Sequence, residues 1–374
     1  MKKMKLTAPC LFGLESVLKD EISFLGYPVI EVTDGRVTFE GDFEAVARCN
    51  MFLRTAERVL IELGRWRAES FEALFEGVKK LPLEKFIGRT DAFPVKGTCL
   101  KSKLHSVPDC QKIIKKAAVN ALGAVYGISR FEESGARVQM QFMIFKDTVH
   151  LYLDTTGAAL YKRGYRASSN AAPLRETIAA AMVKLSRYSA GIEFYDPMCG
   201  SGTIAIEAAM KAADIAPGLG RRFDYEYWGC IPRGLAARVR TEALERRKAL
   251  SEPIVFASDI SPEAVELTRH NAVLAGVKKG VWAECADVAD FAPRSQKGVI
   301  VTNPPYGERM LDKQQAAALY KVMGRALWHP GHRLYVIAPA EDDFESFFAH
   351  PADKKRKIYN GMLTCNIYQY FRKK

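Results

Sequence analysis

The sequence predicts an α/β chain in two parts: a C-terminal, mostly parallel, Rossmann-like sheet of seven strands, and before it an N-terminal α+β half. Three observations carry that expectation. Short β-branched runs alternate with helical stretches between residues 192 and 338, the pattern of parallel strands joined by crossover helices. One of these runs, 192–196, passes through the glycine-rich turn Pro197-Met198-Cys199-Gly200-Ser201-Gly202-Thr203 into a helical stretch at 204–213. Finally, Asn360-Gly361 sits between two strand-like segments and is a strong hairpin signal.

In chain order, strand signals at 5–8, 29–32 and 36–39 alternate with helical stretches at 13–25 and 43–53. That βαββα order suggests a small α+β domain over residues 1–60. Residues 58–65 return to strand and 70–80 read as an amphipathic helix. Strands at 94–100 and within 136–153 flank a helix at 112–122, giving a second module over 61–155. Residues 155–161 are the expected bridge to a third domain, 160–374. It opens with Lys162-Arg163-Gly164-Tyr165-Arg166 and a helix from Pro173 to 188, proline being favoured in a first helical turn. Strands follow at 192–196, 253–259, 280–286, 298–302 and 332–338, and the hairpin completes seven.

Composition narrows the class without naming a function. The 374 residues are enough for several domains, and no apolar run approaches the ~20 residues of a membrane span. The N-terminus enters a strand-like segment without the apolar core of a signal peptide. Eight scattered cysteines form no CxxC pair and the histidines do not cluster. A zinc site, or any metal site, and a disulfide framework are therefore disfavoured, and a reducing cytoplasm is the expected compartment.

The chemistry concentrates at strand ends. Asn303-Pro304-Pro305-Tyr306 follows the strand 298–302, and two prolines there make a stiff corner that cannot continue regular structure. Such a corner holds an amide, carbonyl groups and an aromatic ring together, which suits a planar base bearing an exocyclic amine. A proline turn packed by a tyrosine is the structural alternative. The glycine turn is no P-loop, since no Lys-Ser/Thr follows, and the third glycine of a dinucleotide fingerprint would fall at Ala205. Downstream, Asp259 ends the strand 253–259 and also begins what looks like a helix cap. Cys199 lies within the glycine turn without a motif-placed base and reads as a small loop residue.

The spaced set of glycine turn, Asp259 and Asn303-Pro-Pro-Tyr306 resembles the S-adenosylmethionine-dependent amino-methyltransferases. The resemblance narrows with Ile215-Ala-Pro-Gly218, residues 223–228, the extended corner Asn303-Pro-Pro-Tyr-Gly-Glu-Arg309, Lys101-Ser-Lys-Leu-His105-Ser-Val-Pro-Asp-Cys-Gln111 and Ile113-Ile-Lys-Lys-Ala117. Together these are similar to the THUMP-domain RNA guanine-N2 methyltransferases, in particular the bacterial branch acting on large-subunit ribosomal RNA, over residues 5–373. Met198 departs from the Phe common in that family.

The resemblance implies a ferredoxin-like domain, a THUMP domain and a methyltransferase domain. It implies that S-adenosylmethionine is held by Asp196, Met198, Gly200, Ser201, Gly202, Thr203, Asp259, Ile260, Asp287, Val288 and Asn303. Asp259 would bind ribose and Asp287 the adenine amine. Asn303, Pro304, Pro305 and Tyr306 would carry catalysis on an exocyclic nitrogen.

The net charge of +12 suggests a polyanionic partner. Residues 96–116 carry six lysines against Asp109, and residues 161–187 carry six cations against Glu176. Both segments look like phosphate-contacting surfaces, with Lys101, Lys103, His105, Lys112, Lys116, Arg163 and Arg166 as the expected RNA contacts. A third cluster, Lys354-Lys-Arg-Lys357, reads equally well as a solvated face. Three functions fit: guanine-N2 methylation of ribosomal or transfer RNA, adenine-N6 methylation of a nucleic acid, and RNA binding without catalysis. An intact Asn303-Pro-Pro-Tyr306 and glycine turn weigh against the last.

Overall fold

A computed structural model of the chain describes residues 3–166, 174–306, 313–361 and 363–371. Pro173, the expected helix start, and Gly307-Glu308-Arg309 of the extended corner lie outside these residues. The first half comprises β1 (Met4–Pro9), α1 (Glu15–Phe24), β2 (Val29–Thr33), β3 (Arg36–Gly41), α2 (Phe43–Phe52), β4 (Leu60–Arg67), α3 (Phe71–Lys79), β5 (Val95–Leu100), α4 (Val107–Tyr126), β6 (Gln139–Phe145) and β7 (Thr148–Asp154). The second comprises α5 (Glu176–Leu185), β8 (Glu193–Asp196), α6 (Thr203–Ala212), α7 (Leu235–Glu245), β9 (Val255–Asp259), α8 (Pro262–Leu274), β10 (Val281–Cys285), β11 (Gly298–Thr302), α9 (Lys313–Ala326), β12 (His332–Pro339), α10 (Phe344–Phe348), β13 (Lys354–Asn360) and β14 (Leu363–Tyr370).

The βαββα unit and the following module do not form separate sheets. Their strands join in one seven-stranded sheet, ordered β2-β3-β1-β4-β7-β6-β5. Every strand pair in it is antiparallel except β5 with β6. Alternation explains its two faces. Leu6, Ala8, Phe39, Ile61, Leu151 and Leu153 point to one side and are buried in the first core with α2 and α4. The intervening positions are mostly polar, among them Thr7, Thr38, Gln141 and His150. Helix α4 is longer than the 112–122 expected from apolar spacing. Ser106 caps its start by accepting from the Asp109 N–H, proline occupies the first turn, and Gly127 closes it in a left-handed conformation.

The second sheet runs β10-β9-β8-β11-β12-β14-β13. Five strands are parallel, and β14 returns antiparallel against β12 before pairing with β13 across the Asn360-Gly361 turn. Near-continuous burial of Gly298–Thr302 marks β11 as a central strand covered on both faces. The Lys354–Lys357 cluster lies on β13, an edge strand, where lysines discourage further strand pairing. There Lys355 pairs with Glu345, and Arg356 donates to the Gly13 carbonyl at 2.7 Å.

The family-like segments Ile215–Gly218 and 223–228 serve packing between the halves. Ala216, Phe223, Tyr225, Trp228, Leu235 and Val239 belong to the first core, although they follow β8 in sequence. Backbone bonds stitch the contact: Gly218 N–H donates to Met51 O at 3.0 Å and Tyr225 N–H to Thr155 O at 3.0 Å. The Trp228 indole N–H donates to Arg137 O at 2.8 Å. Burying three aromatic rings in this way stabilises the association by on the order of 5 kcal/mol. Among the described residues no helix is long and apolar enough to cross a membrane, and no group of three or more His, Cys, Asp or Glu could hold a metal ion.

Candidate active site

The glycine turn and the proline corner meet because β8 and β11 are neighbours in register. Ile300 pairs with Tyr195, so Asp196 and Thr302 leave the sheet at nearly the same level. Open α/β sheets bind ligands beyond the carboxyl ends of their strands, and β8, β9, β10 and β11 all end on that side. Asp196, Asp259 and Asn303 thus share one crevice, with Asp287 on its β10 side.

The turn is built from the backbone. Gly200 and Gly202 adopt φ of +53° and +80°, a conformation that costs other residues energy. A Cβ on Gly202 would also stand 2.7 Å from Thr268 Cγ2. Asp259 organises the turn from the next strand: Oδ2 accepts the Gly200 N–H at 2.8 Å and Oδ1 accepts the Ser261 N–H at 3.0 Å. Helix α8 fastens the other side. Thr268 Oγ1 donates to the Gly200 carbonyl at 2.9 Å and Asn271 Nδ2 to the Ser201 carbonyl at 3.0 Å. Neither Thr268 nor Asn271 was singled out in the sequence; the signal was a Thr and an Asn three apart, on one face of the helix after Asp259.

Asp196 is a buried carboxylate held far from its ordinary titration. It is 1% exposed, and neither carboxylate oxygen closes a hydrogen bond among the described residues. Burial, and then the neighbouring charge of Asp259, push its carboxyl up to about 8. The N–H groups of Ala205 and Met198 and the Thr302 hydroxyl lie near it without closing a full hydrogen bond, and offset that shift only in part. Thr302 Oγ1 is itself buried and unpartnered, which adds Thr302 to the site. Such a donor-poor carboxylate fits a cationic or ammonium-bearing ligand, which would supply the missing partner. The Cys199 thiol, 3.5 Å from Thr268 Oγ1, is pushed far up by burial and is no nucleophile.

At the corner, Pro304 is buried and Pro305 and Tyr306 half-buried. The Tyr306 hydroxyl accepts from Asn360 Nδ2 at 3.0 Å, so the terminal hairpin holds the ring. Asn303 Oδ1 is buried without a partner among the described residues, an acceptor kept available. Of the remaining positions, Val288 is buried and packs with Met198 in the third core. Ile260 is 70% exposed at the rim. Asp287 caps the turn after β10 through the Ala289 N–H at 2.8 Å.

The second basic segment is a correction. Arg163 is 3% exposed and pairs with Glu207 at 3.2 Å, while Arg54 approaches the same carboxylate at 3.8 Å. Burial works against the Arg163 charge, but Glu207 holds its pKa above the usual value. Arg166 pairs with Glu176 at 3.3 Å and donates to the Thr203 hydroxyl at 2.7 Å. Neither guanidinium faces solvent as an RNA contact; both tie the bridge to the cofactor-side helix α6. In the first segment Lys103 pairs with Glu69, Lys112 approaches Asp109 at 3.8 Å, and Lys115 pairs with Glu133 at 2.6 Å. Lys101, His105 and Lys116 remain exposed.

Known proteins with this architecture are numerous. Residues 5–60 match the RlmL ferredoxin-like domain, 68–154 the THUMP domain and 163–369 the RMKL-like methyltransferase domain. The chain is 40% identical, over its whole length and 97% of the relative, to "Putative RNA methyltransferase YpsC" of Bacillus subtilis (strain 168). A solved structure from Listeria monocytogenes str. 4b F2365, described as a predicted N6-adenine-specific DNA methylase, is 41% identical with a TM-score of 0.92, covering 99% of this chain and 97% of that one. SMU.472, solved in complex with SAH, is 37% identical with a TM-score of 0.94, covering 100% and 99% of the two chains. Strand-end crevice, glycine turn and three consecutive domain matches agree: the chain belongs to the RMKL-like methyltransferase family, with ferredoxin-like and THUMP modules before the methyltransferase domain.

Proposed function

We propose that the protein is an S-adenosylmethionine-dependent RNA methyltransferase that methylates the exocyclic N2 of a guanosine, in large-subunit ribosomal RNA. The buried, unpartnered Asn303 Oδ1 at a two-proline corner beside the glycine turn is the observation that carries this reading. The THUMP match and the YpsC likeness support RNA as the substrate class. SMU.472 with its bound SAH supports the cofactor.

S-adenosylmethionine supplies a methyl group activated by its sulfonium charge. On the protein side, the open backbone at Gly200, Ser201 and Gly202 would receive the methionine portion, with Asp196 available to match its ammonium. Asp259 still has lone pairs that could accept ribose hydroxyls beside its two backbone bonds, and Asp287 would be the residue to meet the adenine. Asn303 Oδ1 and the Pro304 carbonyl accept the hydrogens of the target amine. That contact lets the nitrogen lone pair leave conjugation with the ring as it meets the methyl carbon. The amine needs no general base before attack, because its proton becomes acidic as the bond forms. Positioning supplies most of the acceleration. The Tyr306 ring, held by Asn360, offers an aromatic face to an unpaired base.

Adenine-N6 methylation is the competing reading, since the same corner accepts that amine, and the Listeria relative's description points to it. Incubation with methyl-labelled cofactor and unmodified ribosomal RNA, transfer RNA or duplex DNA, followed by nucleoside mass spectrometry, separates them. N2-methylguanosine formed in ribosomal RNA is the expected product; N6-methyladenine in any substrate overturns the assignment.

A further inference from the structure

The loop between β1 and α1 belongs to the ferredoxin-like module in sequence, yet it is built into the methyltransferase domain. Leu14 is fully buried in the second core with Ile358 and Cys365, the core against which Tyr306 packs. Gly13 adopts φ of +90°, and a Cβ on it would stand 2.1 Å from the Lys357 carbonyl oxygen, so only glycine lets the loop lie this close to β13. Arg356 closes the contact by donating to the Gly13 carbonyl at 2.7 Å and the Ser16 hydroxyl at 3.1 Å. The Phe12 ring meets Tyr359 edge-on, with 5.6 Å between centroids. The loop is itself held in shape: the Glu15 carboxylate accepts the Gly13 N–H at 3.0 Å and the Gly35 N–H at 2.9 Å.

Strand β13 carries this anchorage to the proline corner. It pairs with β14 at every position from Lys354 to Asn360, so it cannot bend locally without breaking the ladder. Alternation puts Arg356, Ile358 and Asn360 on one face, and these are its more buried positions. Arg356 grips the loop, and Asn360, about 13 Å further along the strand, donates to the Tyr306 hydroxyl at 3.0 Å. The turn asks for left-handed backbone at Gly361, with φ of +66°, whereas Asn360 is a strand residue paired with Leu363. Its amide therefore serves the corner.

We propose that the β1–α1 loop is a positioning element for methyl transfer, and that Asn360 is the positioning residue through which it acts on the Tyr306 ring. The inference rests on the reading that the Asn303 corner is the methyl-transfer site. On that reading neither the loop nor Asn360 meets the reacting atoms; they fix the angle of the ring on which the base lies. Placement governs rate steeply, a shift of about 1 Å costing up to about 100-fold. A two-stranded hairpin alone is a marginal support. Tied to a loop of the other module, it holds the ring at one angle.

The test compares kcat for methyl transfer to unmodified ribosomal RNA, at saturating RNA and S-adenosylmethionine, in the wild type, Arg356→Gln, Asn360→Ala and Tyr306→Phe. Two double variants add Tyr306→Phe, which keeps the ring and removes only the hydroxyl, to each of the others. Each single substitution lowers kcat about two- to tenfold, the contribution of one hydrogen bond. In the Tyr306→Phe background Arg356→Gln or Asn360→Ala lowers it by less than about twofold more, because the link they act through is already cut. SAH affinity by calorimetry stays within about twofold throughout, which separates a misplaced ring from a damaged cofactor site. Losses that multiply in full assign Arg356 and Asn360 to general stability and overturn the inference, as does an unchanged kcat in either single variant. Asn303→Ala is measured alongside: near-normal turnover there removes the corner, and the role of the loop with it. A loss in Asn303→Ala beside an unchanged Arg356→Gln removes the role of the loop and leaves the corner.

Discussion

The two seven-stranded sheets solve opposite problems. The C-terminal sheet is parallel at its centre and covered on both faces there, so its central strand β11 is buried throughout and its chemistry gathers at the carboxyl ends. The N-terminal sheet is almost wholly antiparallel, so its strands alternate between an apolar face packed in the first core and an opposite face of mostly polar residues. One sheet offers a crevice of a few converging side chains; the other offers a broad polar surface. The contrast teaches that a crevice of converging side chains and a broad polar face arise from strand direction as much as from residue choice.

The largest expected effect tests what holds the sheets together. Glu207→Ala leaves Arg163 buried without its counter-ion, which costs about 3–5 kcal/mol. Urea unfolding should show that loss or split into two transitions; a loss below about 1 kcal/mol would mean that solvent reaches the cluster. At the crevice, Asn303→Ala is expected to lower the methyl-transfer rate by about 10²–10³-fold, the scale for losing a preorganised polar contact at a reacting centre. SAH affinity by calorimetry should change only a few-fold. Near-normal turnover would reduce the corner to a turn.

Asp259→Ala should weaken SAH binding by about 1.5–3 kcal/mol, the range for hydrogen bonds to a charged group, because it loses both ribose contacts and the Gly200 clamp. Equal affinity in the variant would take Asp259 out of the site. Per pH unit the smallest effect belongs to Asp196, and it is the most diagnostic of burial. The Asp196 carboxyl titrates near 8 in the fold, against about 3.9 in an unfolded chain. Between those values the folded state holds a proton that the unfolded state releases, so this group's contribution to stability is full below about pH 4 and falls as pH rises to about 8. The slope reaches at most about 1.4 kcal/mol per pH unit. Asp196→Asn should gain on the wild type across that window, and a pH-independent difference would show that Asp196 is ionised throughout. In the wild type, binding of S-adenosylmethionine at pH near 7 should release protons, read from calorimetry in buffers of different ionisation heat.

Strand ends were legible because β-branched runs stop at Asp196, Asp259 and Asn303 in a way that needs no long-range information. The hairpin at Asn360-Gly361 was legible for the same reason, its turn chemistry being local. What the sequence hid was partnership. Arg163 and Arg175 look like part of a phosphate-contacting stretch until Glu207 and Glu57 arrive from elsewhere in the chain, at 3.2 and 3.6 Å. Thr268, Asn271 and Thr302 were hidden because their value lies in meeting a backbone or a carboxylate fixed only by tertiary structure. The merger of two modules into one sheet was equally unreadable, since β4 pairs with β1 on one side and β7 on the other.

The aromatic segment that crosses from the second half into the first core makes the molecule a caliper. Its two jaws are the N-terminal sheet and the Asn303 corner, and Phe223, Tyr225 and Trp228 are the rivets that fix their opening. On the proposed function, a substrate held by both jaws would have to present its target base at the span the protein already has, since widening it means tearing rings out of a hydrophobic interior. Reach, and not only local fit, would then select which nucleotide is touched, and swapping either jaw for that of a relative would require recutting the rivets with it.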